Sequence, residues 1–227
     1  MGTVFNKKEL LVLLQDFHCL TGLRSAVFDS YGIEVLAYPP ELPAFCSLIR
    51  SVPEGKTGCY LCDQAACRNA TRQKKTIIYP CHAGLIEVIT PIQIDDAVVG
   101  FLLLSHIVQG EDENVEWAYA QKCCAAYNLD TNALHEAYNT LQRTPYPVLK
   151  SAADLLALAA AALYQKGMTR LASDSMQEKL SQYLAAHLHE NLTSETICRA
   201  LSVSRTGLYY LSRQSYGCGI NEQITHL

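Results

Sequence analysis

The chain has 227 residues, of which 49% are hydrophobic and 18% charged, a composition that excludes an intrinsically disordered protein. Its formal net charge is −4 and its isoelectric point is about 6.0, so the chain as a whole lacks the basic character of a nucleic-acid binder. No apolar run reaches the roughly 18 residues that a membrane span needs, and the N-terminus shows no cleavage site for export. We therefore expect a cytoplasmic protein with no membrane partner.

The N-terminal half alternates helical and strand-like patterns. Residues 7–21 have apolar side chains at helical spacing and stop at Gly22. Residues 23–40 predict a β-hairpin, a short helix follows, and a further helix is predicted after Gly58. Two strand-rich runs come next, the second broken by a turn at Asp95-Asp96. This order predicts an α+β fold with an antiparallel sheet of about five strands and flanking helices.

From Asp112 onward the pattern is helical, with one interruption near residues 143–149. The segment 152–165 carries almost no charge on any face, which is typical of a helix that has apolar partners all round. Two interpretations remain open for this segment: an interface in a homodimer, or packing against the sheet of the same chain.

The last fifty residues contain start and stop signals for several short helices. One helix is predicted from about Asp174 to His189, and a second begins at Thr193 or Ser194. After a tight break, Ser204 caps a third helix that ends at Gly217. Two short helices joined by a turn of three or four residues form the helix-turn-helix pattern, whose second helix enters the DNA major groove.

The stretch "NLTSETICRALSVSRTGLYYLSRQSYGCGINEQITHL" resembles the first half of an AraC-type DNA-binding domain. The resemblance implies double-stranded DNA as a partner, contacted by Arg205, Thr206, Tyr209 and Arg213. AraC-type domains contain two helix-turn-helix units, so we expect the second unit to be absent from a chain that stops at Leu227. Residues 173–227 hold four basic and five acidic side chains, a net of −1, which keeps a purely protein-binding role open.

A second motif lies in "GCYLCDQAACRNATRQKKTIIYPCHAGL", residues 58–85. Together with residues 45–46, Asp63 and the block from Tyr79 to Leu85, it resembles the PocR-type ligand-binding domain over residues 8–165. The resemblance implies a PAS-like fold that senses small hydrocarbon derivatives such as short diols. Domains of this type often precede AraC-type output domains, which is the order found here.

Three chemical interpretations compete for this cysteine-rich stretch. In the first, Cys46, Cys59, Cys62 and Cys81 bind zinc or an iron–sulfur cluster, since Cys59 and Cys62 share one helix face. In the second, Cys81 is a nucleophile with His82 as its base. Neighbouring strand residues point to opposite faces, so the Cys81 and His82 side chains would not meet. We therefore expect no enzyme. In the third, the stretch lines a buried ligand pocket formed by His82, Cys81, Tyr79, Glu87, Cys46 and Cys59.

The resulting prediction is a transcription regulator with two parts. Residues 1–165 form the small-molecule sensor, and residues 166–227 form a helical linker with a partial AraC-type DNA-binding domain. The alternatives are a cysteine-based metal or redox sensor and a protein-interaction module without DNA binding.

Overall fold

The computed structural model describes residues 2–110, 112–172, 176–188, 190 and 192–226. Its largest sheet has five antiparallel strands: β2 (Arg24–Asp29), β3 (Glu34–Tyr38), β4 (Ile77–Pro80), β5 (Ile86–Ile94) and β6 (Ala97–Ile107). Their spatial order is β3-β2-β6-β5-β4, with β2 and β6 paired along the full length of β2. The predicted α+β, PAS-like sheet with flanking helices is confirmed.

Six helices accompany this sheet within the described residues. They are α1 (Lys7–Thr21), α2 (Ala44–Arg50), α3 (Pro53–Gln73), α4 (Glu113–Cys124), α5 (Thr131–Asn139) and α6 (Tyr146–Ala162). The first helix ends at Gly22, as its sequence predicts. The prediction that α3 begins after Gly58 is wrong, because Pro53 starts the helix and Gly58 lies inside it.

The sheet lies between two helical layers, and the alternation of strand side chains sets which residues face each layer. One face packs on α1 and α6 through residues that include Val88, Leu102 and Leu104. The other face packs on α3 through residues that include Phe28, Ile89 and Leu103. Polar side chains at the end of this second face surround the cavity described below.

A separate two-stranded sheet joins β1 (Gly2–Phe5) to β7 (Thr169–Ala172), with Gly2 opposite Ala172. Neither strand is predicted from the sequence. Each has four residues and the two are more than 160 positions apart, so no local turn signal marks the pair.

One face of α6 packs on the sheet through Leu149, Leu156 and small alanines. The opposite face is open within this chain, where Leu155 is 53% and Leu158 is 68% exposed. The interpretation in which this segment packs against the sheet of its own chain therefore holds for one face of α6. No described helix is both long and apolar enough to cross a membrane.

The C-terminal part is helical: α7 (Met176–His187), α8 (Ser194–Leu201), α9 (Arg205–Tyr216) and α10 (Ile220–His226). Thr193 caps α8 in a capping box with Thr196, while Ser204 Oγ accepts a 3.0 Å hydrogen bond from the Gly207 amide at the start of α9. Gly217 ends α9 with a φ of 77°, as predicted. The predicted ends of α7 at Asp174 and His189 lie outside the described residues.

The turn between β2 and β3 packs against the C-terminal helices. Ile33 in this turn is fully buried in a cluster with Leu180, Leu184 and apolar side chains of α8, α9 and α10. The side-chain amide of Gln223 donates a 3.4 Å hydrogen bond from its Nε2 to the backbone carbonyl of Glu34. The C-terminal helices α7 to α10 are therefore packed directly on the sheet domain.

Candidate ligand-binding site

A narrow cavity lies between α3 and one end of the sheet. The space open to the centre of a water molecule is about 30 Å³, enough for two or three small groups. Charged and ionisable side chains dominate its wall: Arg24, Glu34, Arg50, Asp63, His82, Glu87 and His106. Apolar side chains and four thiols complete the lining: Phe28, Ile49, Leu103, Ala83, Cys46, Cys59, Cys62 and Cys81, with Ser105 beside them.

Glu87 is a buried carboxyl at the wall of this cavity. It lies opposite Tyr79 in the β4–β5 pairing, and this register allows the Tyr79 hydroxyl to donate a 2.7 Å hydrogen bond to Glu87 Oε2. Burial raises the pKa of Glu87, and the Tyr79 hydrogen bond partly opposes that rise. Tyr79 itself does not line the cavity, so it orients a lining residue instead.

Asp63 on α3 faces the same cavity. Burial, followed by the charge of Glu87, raises the pKa of Asp63 well above the usual range. The charge of Arg50 acts on Asp63 in the opposite direction. Two carboxyls in one desolvated site therefore raise the cost of carrying two negative charges there.

Two arginines balance these carboxyls. Arg24 is buried at the start of β2, where its Nε donates to the Pro39 carbonyl at 3.0 Å and its Nη2 lies 3.3 Å from Glu34 Oε1. Arg50 is the last residue of α2 and lines the cavity beside Cys59. The guanidinium groups therefore supply fixed donors next to the carboxyl acceptors.

His82 bridges α3 and the segment after α4. Its Nε2 lies 3.1 Å from Cys59 Sγ, and its Nδ1 lies 2.6 Å from the Tyr127 hydroxyl. Gly58 leaves room for the His82 ring, because a Cβ at position 58 would lie 2.7 Å from His82 Nδ1. Burial, then the charge of Arg50, lowers the pKa of His82 and keeps the ring neutral at pH 7.

The pocket thiols are protonated. Burial is the largest cause that raises the pKa of Cys46, Cys59 and Cys81, and it raises the pKa of Cys62 to about 12. A thiolate is the reactive and metal-binding form of cysteine, so these positions favour packing and weak hydrogen bonding. Among the described residues, no group of three or more His, Cys, Asp or Glu side chains is arranged to hold a metal ion.

The structure brings most of the predicted ligand-site residues together. Cys46, Cys59, Cys81, His82 and Glu87 line one cavity, although they come from four elements. Cys81 and His82 follow β4 in a turn, so both side chains reach the cavity instead of facing opposite sides. Cys67 packs under the sheet, away from the cavity.

Sequence reasoning missed the two arginines, Glu34 and His106. A weak signal was present, because Arg24 begins an otherwise apolar strand and Arg50 ends an apolar helix. A charge inside an apolar run is typical of a functional position, since an isolated buried charge is costly.

The four residues expected to contact DNA lie on α9. Arg205, Thr206, Tyr209 and Arg213 are all exposed, and Arg213 lies over the Tyr209 ring at 5.6 Å from its centroid. Arg205 forms an ion pair with Glu195 of α8. The set forms one surface on the second helix of the helix-turn-helix pattern.

The family model described as the sensory domain found in PocR matches residues 3–168. The chain belongs to the PocR sensory-domain family. It is also similar to Regulatory protein PocR of Salmonella typhimurium strain LT2, with 25% identity over 242 aligned residues. That alignment covers 98% of this chain and 78% of the relative. The cavity described above lies entirely within the part that matches the PocR sensory domain.

Proposed function

We propose that this chain is a transcription regulator whose PocR-type sensory domain binds a short diol or a related small hydrocarbon derivative. The observation that carries the proposal is the narrow cavity whose lining combines carboxyls and guanidinium groups around a small volume. The similarity to a regulatory protein supports the same conclusion. The proposal does not include enzyme activity.

The wall chemistry favours a neutral ligand with neighbouring hydroxyl groups. A hydroxyl donates one hydrogen bond and accepts others, so it can lie between a carboxyl such as Glu87 and a guanidinium such as Arg50. Opposite charges on the wall offset each other, which removes the need for a charged ligand. Phe28 and Leu103 supply apolar contacts for a carbon chain. The small volume limits the ligand to a few non-hydrogen atoms.

Calorimetric titration with four compounds tests this assignment: ethane-1,2-diol, propane-1,2-diol, propane-1,3-diol and propan-1-ol. We expect saturable binding of a 1,2-diol with one site per chain. Propan-1-ol should bind at least about tenfold more weakly, because one buried polar group then loses its partner. Absence of saturable binding by all three diols would overturn the diol assignment.

The proposed output is contact with double-stranded DNA through α9. The exposed arginines and tyrosine on this helix are suited to phosphate and base-edge contacts. The proposed assembly is a homodimer in the cytoplasm, since paired helix-turn-helix units reach adjacent half-sites. Binding to promoter DNA that weakens as salt increases would support this role, whereas salt-independent or absent binding would favour the protein-interaction alternative.

Glu34 offers a direct connection between ligand and output. Its carboxylate pairs with Arg24 at the cavity, while its backbone carbonyl accepts the hydrogen bond from Gln223 on α10. A ligand that binds Arg24 or Glu34 would favour one arrangement of the β2–β3 turn against the C-terminal helices. The proposed mechanism is therefore a population shift that changes how the helix-turn-helix packs on the sensor.

A cysteine-based metal or redox sensor is the second interpretation from sequence. The raised pKa values of Cys59 and Cys62 disfavour it, because reactive and metal-binding cysteines are thiolates. Metal and labile-sulfide analysis of protein purified without oxygen tests it directly. About one zinc ion or one iron–sulfur cluster per chain, lost in Cys59→Ser, would replace the pocket interpretation of the thiols.

A further inference from the structure

A second cavity lies between the sensory domain and the C-terminal helices. Its volume is about 170 Å³, several times the space that one ordered water needs. The start of α1 and the β2–β3 turn line one side, while α7 and the end of α9 line the other. It shares no lining residue with the cavity proposed for the diol. Any molecule bound here would contact both parts of the chain.

Lys7 provides the positive charge of this second cavity. Its Nζ is shielded from solvent and has no hydrogen-bond partner among the described residues. Burial lowers the pKa of Lys7 to about 8, so most of the side chain remains charged at pH 7. An ammonium without a hydrogen-bond partner is costly in a buried place, which indicates that an acceptor completes this end of the cavity.

Asp29 and Ser215 also present unsatisfied atoms. Asp29 Oδ1 accepts hydrogen bonds from the amides of Tyr31 and Ile33, at 2.9 and 3.0 Å. Its other oxygen, Oδ2, and Ser215 Oγ are buried without a well-formed hydrogen bond in the described part of the chain. Burial raises the pKa of Asp29 to about 6, so it is mostly ionised at pH 7 and needs a donor.

Ser181 is the internal side chain that can donate towards Asp29, and it opposes the rise in the pKa of Asp29. Its hydroxyl also pairs with the Tyr216 hydroxyl at 2.6 Å, and no described group completes a hydrogen bond of normal length to Asp29 Oδ2. Lys7 does not serve either, because neither its Nζ nor Asp29 Oδ2 has a partner. The cavity therefore needs an acceptor at Lys7 and a donor at Asp29.

We propose that this cavity binds a small α-hydroxy acid. The ligand carboxylate accepts hydrogen bonds from Lys7, and the ligand hydroxyl donates to Asp29 Oδ2 and accepts from Ser215 Oγ. A diol offers Lys7 only a neutral hydroxyl as acceptor, in a cavity whose carboxyls are those of Asp29 and Glu178, and a simple carboxylate such as acetate leaves Asp29 Oδ2 without a donor. The bound acid joins the sensory domain to α7 and α9, so it stabilises the packed arrangement of the helix-turn-helix. This proposal does not depend on diol binding at the first cavity.

Calorimetry with L-lactate, D-glycerate, acetate and propane-1,2-diol tests the site. We expect saturable binding of lactate or glycerate, with acetate weaker by about tenfold or more because one buried acceptor stays unpaired. Lys7→Met keeps the apolar stem and should weaken hydroxy-acid binding by at least about tenfold, while Ser215→Ala weakens it less. Lys8→Met changes the neighbouring exposed lysine of the same helix and should leave the affinity unchanged.

Two further results decide the proposal. Saturating propane-1,2-diol should not displace lactate, since the cavities are separate; displacement would show that both compounds share one pocket and would overturn the assignment. In the unaltered chain, lactate should slow amide hydrogen exchange in α7 and α9. Absence of hydroxy-acid binding, binding that survives Lys7→Met, or unchanged exchange in those helices would each overturn the proposal and leave the cavity as a water site.

Discussion

The Tyr79 hydroxyl donates a 2.7 Å hydrogen bond to Glu87 Oε2 across the β4–β5 pair, and it thereby orients a carboxyl at the wall of the sensory cavity. Tyr79 lies outside the cavity lining, so the two residues have different roles. In the proposed binding site Glu87 is the group that a ligand contacts, whereas Tyr79 fixes the carboxyl in place. Variants at the two positions should therefore affect ligand binding to different extents.

Glu87→Gln should weaken binding of a 1,2-diol by about tenfold, because it replaces a carboxyl at the wall of a desolvated site with an amide, which leaves a ligand hydroxyl less well paired. The glutamine oxygen still accepts from Tyr79, so the free energy of unfolding should change by less than about 1 kcal/mol. Calorimetric titration and urea unfolding measure the two quantities. Tyr79→Phe is the companion variant and should reduce affinity less. Unchanged diol affinity in Glu87→Gln would exclude this carboxyl as a ligand contact.

Asp29 should make stability depend on pH between about 4 and 6. Burial raises its pKa from 3.8 to about 6, so between these values the folded chain binds more protons at this site than the unfolded chain. Its contribution therefore destabilises the fold as pH rises through this range, by roughly 3 kcal/mol in total. Asp29→Asn keeps an oxygen for the Tyr31 and Ile33 amides and removes the titration.

Urea unfolding from pH 4 to pH 7 checks this expectation. The variant should gain stability relative to the parent chain as pH rises, and the gain should level off above about pH 6. Parallel pH profiles for the two proteins would show that Asp29 has an ordinary pKa.

Ile33→Ala should loosen the contact between the sensory domain and the C-terminal helices. The side chain is fully buried in the cluster that contains Leu180 and Leu184, so its truncation should cost about 2–5 kcal/mol. Hydrogen exchange should become faster in α7 to α10, while β5 and β6 keep their protection. Ile33→Val removes one methylene and should show a smaller effect. Uniform acceleration across the whole chain would argue against a separable contact.

Arg213→Ala should weaken binding to promoter DNA and flatten its dependence on salt concentration. The residue is exposed on α9 and contacts the Tyr209 ring, which places it on the surface expected to face DNA. A lost phosphate contact should reduce the slope of log affinity against log salt by about 1. Arg72→Ala, an exposed arginine on α3, serves as the matched control. Equal effects of the two substitutions would reflect net charge alone.

Leu158→Glu should convert a homodimer to a monomer if the open face of α6 is its interface. The side chain is 68% exposed and lies on the face turned away from the sheet, so the change should leave the fold intact. Light scattering at several concentrations measures the native mass. Tyr146→Glu, at an exposed position at the start of the same helix, provides a control. A dimer that survives Leu158→Glu would place the interface elsewhere.

The sequence alone was sufficient for features that depend on neighbouring residues. The strand-rich apolar run broken by a turn at Asp95-Asp96 predicted the β5–β6 hairpin, and Thr193, Ser204 and Gly217 marked the helix ends. Capping and turn formation are local effects, so they leave a readable pattern. The short β1–β7 pair left no such pattern, because its stability depends on partners far apart in the chain.

The candidate site shows the same division. The sequence by itself identified the block from Tyr79 to Leu85 and the residues Cys46, Cys59 and Glu87 as candidate ligand-site residues, since these belong to a recognisable motif or lie near it. Only the tertiary structure placed Arg24 and Arg50 beside the carboxyls. It also placed Lys7 against the end of α9. A buried charge is tolerated according to the groups that surround it in space, and those groups come from elements whose proximity no local pattern encodes.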